Sequence, residues 1–239
     1  MLMKKNSFLQ GLYGGIPICL GYVSVAFAFG IFAVDSGLSV AEALLISMSC
    51  VTSAGQLAAV PIITGGGGLI ELAVSQLVIN LRYSLMSISL SQKFDGTVKF
   101  LDRFAIAFVN TDEVFAVASS QKGTVGRLYM YGLMLMPWIG WSLGTLLGAV
   151  AGNILPPLVT SSLGVAIYGM FIAIVVPEAK KSRPTAICVG IAVLLSCLFY
   201  YLPVLRQIPS GFTVIICAGI ASALMAALAP IQQEVDEDA

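Results

Sequence analysis

Apolar stretches separated by short clusters of charge, Gly and Pro run along nearly the whole chain. A helix needs about 20 mostly apolar residues to cross the hydrocarbon of a bilayer. Runs of that order lie at 12–34, 40–64, 68–92, 104–120, 127–150, 162–178, 185–204 and 211–229. Two of them predict irregular segments. The run 40–64 opens with Ser39 and Glu42 at capping-box spacing, then meets Thr52, Ser53, Ala54, Gly55 and Gln56, which loosen a helix or hydrogen-bond its backbone. This predicts a helix broken near mid-membrane. The run 104–120 is short and carries Asp112 and Glu113 at its middle. Each carboxylate there costs about 2.5–3.5 kcal/mol, against about 0.3–0.6 kcal/mol gained per large apolar residue, so the segment does not insert alone.

Basic residues choose between layouts. With the N-terminus inside and every run crossing, Lys4, Lys5, Lys122, Arg127, Lys180, Lys181 and Arg183 lie inside, and Lys93, Lys99, Arg103 and Arg206 lie outside. If the two irregular segments enter and leave on the same side, Lys93, Lys99 and Arg103 move inside and only Arg206 stays out, which the positive-inside rule prefers. The expected fold is therefore all-α: a polytopic transmembrane helix bundle of about six full crossings plus two broken or re-entrant segments, with eight crossings the alternative and both termini cytoplasmic. Residues 1–231 are expected to form one transmembrane domain and 232–239 an acidic, solvated tail. The run after Lys4 and Lys5 lacks a compact core followed by a cleavage site and reads as a retained helix.

Composition agrees with a bacterial inner-membrane setting. Of 239 residues 58% are hydrophobic and 10% charged, with a mean hydropathy of +0.96, more apolar surface than a water-soluble monomer can hide. The formal net charge is zero, so lipid and not nucleic acid is the expected surrounding partner. Cys19, Cys50, Cys188, Cys197 and Cys217 are scattered through apolar runs with neither disulfide nor zinc spacing and read as packing residues. The chain has no histidine, which removes most hydrolytic triads, histidine metal sites and histidine proton relays. No cofactor, no metal and no enzymatic activity are expected. Gly140, Gly144, Gly148 and Gly152 recur every four residues and predict a helix-packing seam, able to receive an internal or an external helix.

The polar residues gather in the middle of the chain. Gln76, Asn80, Ser84, Ser87 and Ser91 recur at steps of three and four beside Tyr83, forming one stripe that must face protein or water. Arg82 lies mid-segment, too deep to reach the interface easily, with Asp112 and Glu113 as its counter-charges. Interruptions around Gly55 and Gln56, Asn80 to Tyr83, and Asn110 to Glu113 are thus expected near the centres of three consecutive segments. Broken helices meeting at the midplane are how secondary transporters build substrate sites. An amino-acid zwitterion would place its carboxylate on Arg82 or on the N–H groups after Gly55, and its ammonium on Asp112 or Glu113. Two structural readings stand beside this one: Arg82 and Asp112 as an ion pair holding the bundle, and Asn110 and Glu113 as helix caps. Glu71, in the first turn after a glycine run, suits the helix macrodipole. A channel for a small neutral solute is the alternative function that the glycine-rich, weakly charged helices permit.

Gly14 to Pro17, Ala54-Gly55-Gln56, Asn80-Leu81-Arg82-Tyr83 with the serines after it, and Thr111-Asp112-Glu113 together resemble the AzlC (azaleucine-resistance) family over residues 8–180. The resemblance implies export of the branched-chain amino acids Leu, Ile and Val, with Met a further candidate. It also implies a role as the large subunit of a two-component permease with a small AzlD-type membrane subunit. The substrate-binding candidates, inferred from the residues themselves, are Gly55, Gln56, Asn80, Arg82, Tyr83, Asp112 and Glu113.

Overall fold

The computed structural model describes residues 6–156 and 179–229, together with 158, 159, 169, 172 and 175–177. Lys4, Lys5, most of the expected 162–178 crossing and the tail 232–239 lie outside the described residues. The helices whose bounds fall among the described residues are α1 (Phe8–Asp35), α2 (Val40–Ser49), α3 (Ser53–Thr64), α4 (Leu69–Ser91), α5 (Phe100–Phe108), α6 (Asp112–Ser120), α7 (Arg127–Gly152), α8 (Arg183–Tyr201) and α9 (Ser210–Leu228). A short 3-10 turn, Leu205–Gln207, joins α8 to α9. Among the described residues α1, α4, α7, α8 and α9 are long and apolar enough to cross a membrane, and the chain is an all-α membrane bundle.

The scaffold is the pair α1 and α7, packed side by side and running the same way. A Cβ built on Gly140 would lie 2.6 Å from the Cys19 carbonyl oxygen, one on Gly144 2.5 Å from that of Val23, and one on Gly152 2.8 Å from Val34 Cγ2. From α1, Gly15 meets the Leu133 carbonyl at 2.6 Å in the same sense. Small residues every fourth position therefore bring the two backbones into contact, where dispersion and Cα–H···O contacts hold them. The glycine seam is filled from within the chain, by α1, and not by an external helix.

Both irregular segments are re-entrant hairpins, and they enter from opposite ends of the scaffold. Helix α2 starts beside the far ends of α1 and α7, where Leu38 and Ala43 pack with Phe29, Ala33 and Ala149. It descends to mid-bundle, where Ser47 Oγ lies 2.7 Å from Thr145 Oγ1 and Trp138 Nε1 donates to the Met48 carbonyl at 3.2 Å. The chain turns at Cys50–Thr52 and α3 climbs back, so that Val60 rejoins the cluster around Phe29. In the second hairpin α5 starts at the near end, with Tyr131 donating to Asp102 at 2.6 Å, and reaches mid-bundle at Val109–Thr111. Helix α6 then returns to the near end, where Gln10 Nε2 lies 3.5 Å from Gln121 Oε1. Lys93, Lys122 and Arg127 share that end, Lys93 donating to the Gln121 carbonyl at 2.6 Å, and the positive-inside rule assigns such an end to the cytoplasmic side.

Caps explain where the half-helices begin. Ser39 and Glu42 form the expected capping box on α2, Thr52 Oγ1 accepts from Gly55 N at 3.3 Å on α3, and Thr111 Oγ1 accepts from Val114 N at 3.4 Å on α6. The break in the first hairpin precedes Ser53, so Ser53 to Gln56 form the first turn of α3 and not the interruption itself. The expected interruption at Asn80 to Tyr83 is absent: α4 is continuous through it. No Gly or Pro lies within α4, and Gln76, Asn80 and Arg82 make side-chain hydrogen bonds or ion pairs without releasing its backbone.

Helix α4 runs from the outer end, beside α3, to the cytoplasmic end. Glu71 is buried there, and its carboxylate accepts from Gly211 N, at the start of α9, at 3.0 Å. An acid on a helix N-terminus satisfies an orphan N–H and the macrodipole together. Glu71→Ala should undock α9 and lower the melting temperature of the purified chain by about 4–8 °C, from a charged hydrogen bond of about 2 kcal/mol. Glu71→Gln, which still accepts the bond, should lose less than half of that. The layout itself is checked by single cysteines at Gly68 and Gly96, both open positions, in a background without native cysteines. Gly68→Cys should react from outside and Gly96→Cys from the cytoplasm. The reverse pattern at both would restore eight crossings.

Candidate functional site

The hairpin tips meet at mid-bundle around a cavity of about 700 Å³. Thr52, Ser53 and Ala54 line it from α3, Thr111, Asp112 and Glu113 from α6, and Arg82 and Tyr83 from α4. Ile18, Val25, Val51 and Ile79 give it an apolar wall beside Tyr22 and Trp141.

Two half-helix N-termini thus open on one cavity from opposite sides, and their first turns differ. Helix α6 carries Asp112 and Glu113, which occupy its positive end with carboxylate. Helix α3 has no acid in its first turn. Gly55 N is taken by the Thr52 hydroxyl and Gln56 N by the Thr52 carbonyl at 3.1 Å, which leaves the N–H groups of Ser53 and Ala54 without intrahelical acceptors. The N–H groups available to an anion therefore precede Gly55 and do not follow it.

The charged groups are arranged around α1. Arg82 Nη2 lies 2.9 Å from Asp112 Oδ2 and donates to Tyr83 Oη at 3.0 Å, with the guanidinium 4.8 Å over the Tyr83 ring. Arg82 lines the cavity with about half of its side chain, 53%, exposed, and is not enclosed as its depth in the sequence implied. Glu113 is held separately, by the hydroxyl of Tyr22. Tyr22 Oη is also 2.7 Å from Thr111 Oγ1, and its ring meets Trp141 edge-on at 5.0 Å. One cation and two carboxylates leave the cavity one negative charge in excess when all are ionised.

Of the sequence candidates, Arg82, Tyr83, Asp112 and Glu113 come together on this cavity. Gly55, Gln56 and Asn80 lie beside it and set the first hairpin in place. Gln56 is fully buried, its Oε1 accepting from Ser47 at 2.9 Å and from Trp141 Nε1 at 3.3 Å. Gln76 Nε2 donates to the Gly55 carbonyl at 2.9 Å, and a Cβ on Gly55 would stand 2.7 Å from Gln76 Oε1. Asn80 donates to that same Oε1 at 3.2 Å. Tyr22 and Trp141 line the cavity unforeseen: each is one aromatic among apolar neighbours, with no sequence signal beyond a lone hydroxyl or indole N–H placed mid-helix. Two expected packing cysteines, Cys19 and Cys217, are buried, whereas Cys197 is exposed.

Fold and site define a multi-pass inner-membrane protein whose two opposed re-entrant hairpins enclose a polar midplane cavity. The family described as AzlC protein matches residues 17–155, the stretch from mid-α1 to just past α7 that contains both hairpins. The chain belongs to the AzlC family. An uncharacterized membrane protein of Archaeoglobus fulgidus is 32% identical over 197 residues, covering 82% of this chain and 86% of that one. The inner membrane protein YgaZ of Escherichia coli is 28% identical over 193 residues, 78% of each chain. The branched-chain amino acid transport protein AzlC of Bacillus subtilis is 23% identical over 175 residues, 70% of this chain and 66% of that one. No solved structure matches.

Proposed function

We propose that the chain exports branched-chain amino acids, Leu, Ile, Val and also Met, as the large subunit of a two-component permease. The observation that carries this reading is the division of the midplane cavity into an anion end, a cation end and an apolar wall. A zwitterion would set its carboxylate on the N–H groups of Ser53 and Ala54 and within reach of Arg82. Its ammonium would replace Arg82 at Asp112 or join Tyr22 at Glu113, and its branched side chain would lie against Ile18, Val25, Val51 and Ile79. The name of the Bacillus subtilis relative points to the same substrate class. A small AzlD-type membrane subunit is the proposed partner. Helix α4 supports it, because only 11% of the residues along its most apolar stretch are buried although it carries the polar stripe.

The test is efflux of labelled valine from vesicles reconstituted with the chain alone and with its small subunit, with and without an imposed pH gradient. Saturable efflux, stimulated by valine on the opposite side and strongest in the pair, is the expected result. Unsaturable flux without counter-transport would favour a channel. Full activity from the lone chain would remove the subunit and keep the transporter.

A further inference from the structure

The same breaks that aim two helix N-termini at the large cavity leave two helix C-termini behind, and these share a second, smaller pocket of about 220 Å³. Ser49 and Cys50 line it from the end of α2, Ala107 and Phe108 from the end of α5, and Thr52, Asn80, Tyr83 and Asn110 complete it. Each half-helix presents its last carbonyls and roughly half a negative charge at this end, so the two together offer about one.

Two side-chain oxygens at this pocket have no protein partner. Asn110 is 3% exposed; its Nδ2 donates to Ser87 Oγ at 3.0 Å, and its buried Oδ1 accepts nothing. Asn80 Oδ1 is likewise buried and unpaired. Its orientation is fixed by a relay: Gln76 donates through Nε2 to the Gly55 carbonyl at 2.9 Å, which leaves Gln76 Oε1 to accept from Asn80 Nδ2 at 3.2 Å and turns Asn80 Oδ1 away. Buried amide oxygens without a donor are costly. Two of them, held at the meeting point of two carbonyl-terminated half-helices, form a site for a ligand that accepts electron pairs. Arg82, the nearby fixed cation, does not supply it, since its guanidinium points into the larger cavity and is neutralised by Asp112 at 2.9 Å.

We propose that this pocket binds a small monovalent cation, Na⁺ by its set of neutral hard oxygens, through Asn80 Oδ1, Asn110 Oδ1 and the terminal carbonyls of α2 and α5. The pocket shares Val51, Thr52 and Tyr83 with the large cavity, so occupancy would brace both hairpin tips against α4. As a coupling-ion site it rests on the transport reading; as a cation site it does not.

Both tryptophans of the chain report on the tips. Trp138 donates to the Met48 carbonyl at 3.2 Å and Trp141 to Gln56 at 3.3 Å. The full chain in detergent is titrated with NaCl against choline chloride at constant ionic strength, following tryptophan fluorescence, and direct binding of labelled Na⁺ is measured in parallel. Saturable binding is expected in the wild type and in Ser89→Ala, with Kd raised at least tenfold in Asn80→Leu and Asn110→Leu. Where the leucine variants fail to fold, Asn110→Asp keeps size and oxygen, and its Na⁺ affinity should become pH-dependent and exceed wild type at high pH. No saturable response to Na⁺, Li⁺ or K⁺ would mean that ordered water satisfies the two amides, and would overturn the site. So would unchanged affinity in all the Asn variants, or complete displacement of Na⁺ by valine, which would make the pocket the seat of the substrate ammonium. Na⁺ binding intact in a chain that moves no valine would keep the site and remove the transport reading.

Discussion

Arg82→Ala is expected to reduce valine efflux about 100-fold or more while the protein still reaches the membrane. The guanidinium sits between the Asp112 carboxylate at 2.9 Å and the Tyr83 hydroxyl at 3.0 Å, on the cavity into which both half-helices open. Misplacing one positioning group by about 1 Å can itself cost this much. Because the side chains of Arg82 and Asp112 are about half exposed, the cost in stability should stay small, and expression should hold. The double variant Arg82→Ala with Asp112→Asn separates two roles that the single variant confounds. If the pair only braces the bundle, removing both charges leaves the net charge of the cavity as it was and efflux returns. If the two groups bind opposite ends of a zwitterion, the double variant stays inactive. Arg82→Lys should recover little, since a compact ammonium loses the flat guanidinium face that lies 4.8 Å over the Tyr83 ring. Near-normal efflux in Arg82→Ala would remove Arg82 from the site.

The parts of this architecture that were legible in the sequence are those with a local cause. Ser39 and Glu42 announce a helix start through capping chemistry, and Asp112 and Glu113 announce a segment that lipid rejects. The balance of Lys93, Lys99 and Arg103 announces a hairpin, because charge placement follows the membrane sides and not the helices. Asn80 to Tyr83 mislead because polarity inside an apolar run reads as a break. A continuous α4 keeps its own backbone bonds, while Asn80 turns to Gln76 and Arg82 to Asp112. Tyr22 and Trp141 were illegible for the opposite reason: their partners, Glu113 and Gln56, lie 91 and 85 residues away and only the hairpins bring them near. The second pocket follows from the same long-range geometry, since it needs the ends of α2 and α5 side by side.

Gly144→Leu is expected to damage the fold severely. The four-residue glycine repeat could have served either an internal or an external helix, and the backbone contact with α1 decides it. A Cβ at Gly144 would stand 2.5 Å from the Val23 carbonyl oxygen and 2.9 Å from Ala26 Cβ, so the obstacle is main chain that cannot rotate away. Overpacking a well-filled site costs about 1–3 kcal/mol, and a leucine driven between two touching backbones belongs at or above the top of that range. The consequence reaches the site, because α1 carries Tyr22 and α7 carries Trp141. Separating the two helices should loosen the edge-on contact at 5.0 Å and release Glu113 from its phenol. The expected result is a polydisperse protein on size exclusion, a melting temperature lowered by at least about 6 °C, and no efflux. Gly144→Ala should fall between, and Gly190→Leu on α8, where an added Cβ meets nothing within 4 Å, should leave the melting temperature unchanged. A Gly144→Leu protein that is monodisperse and melts like the wild type, yet no longer retains its small subunit, would show that the ridge receives an external helix in place of α1.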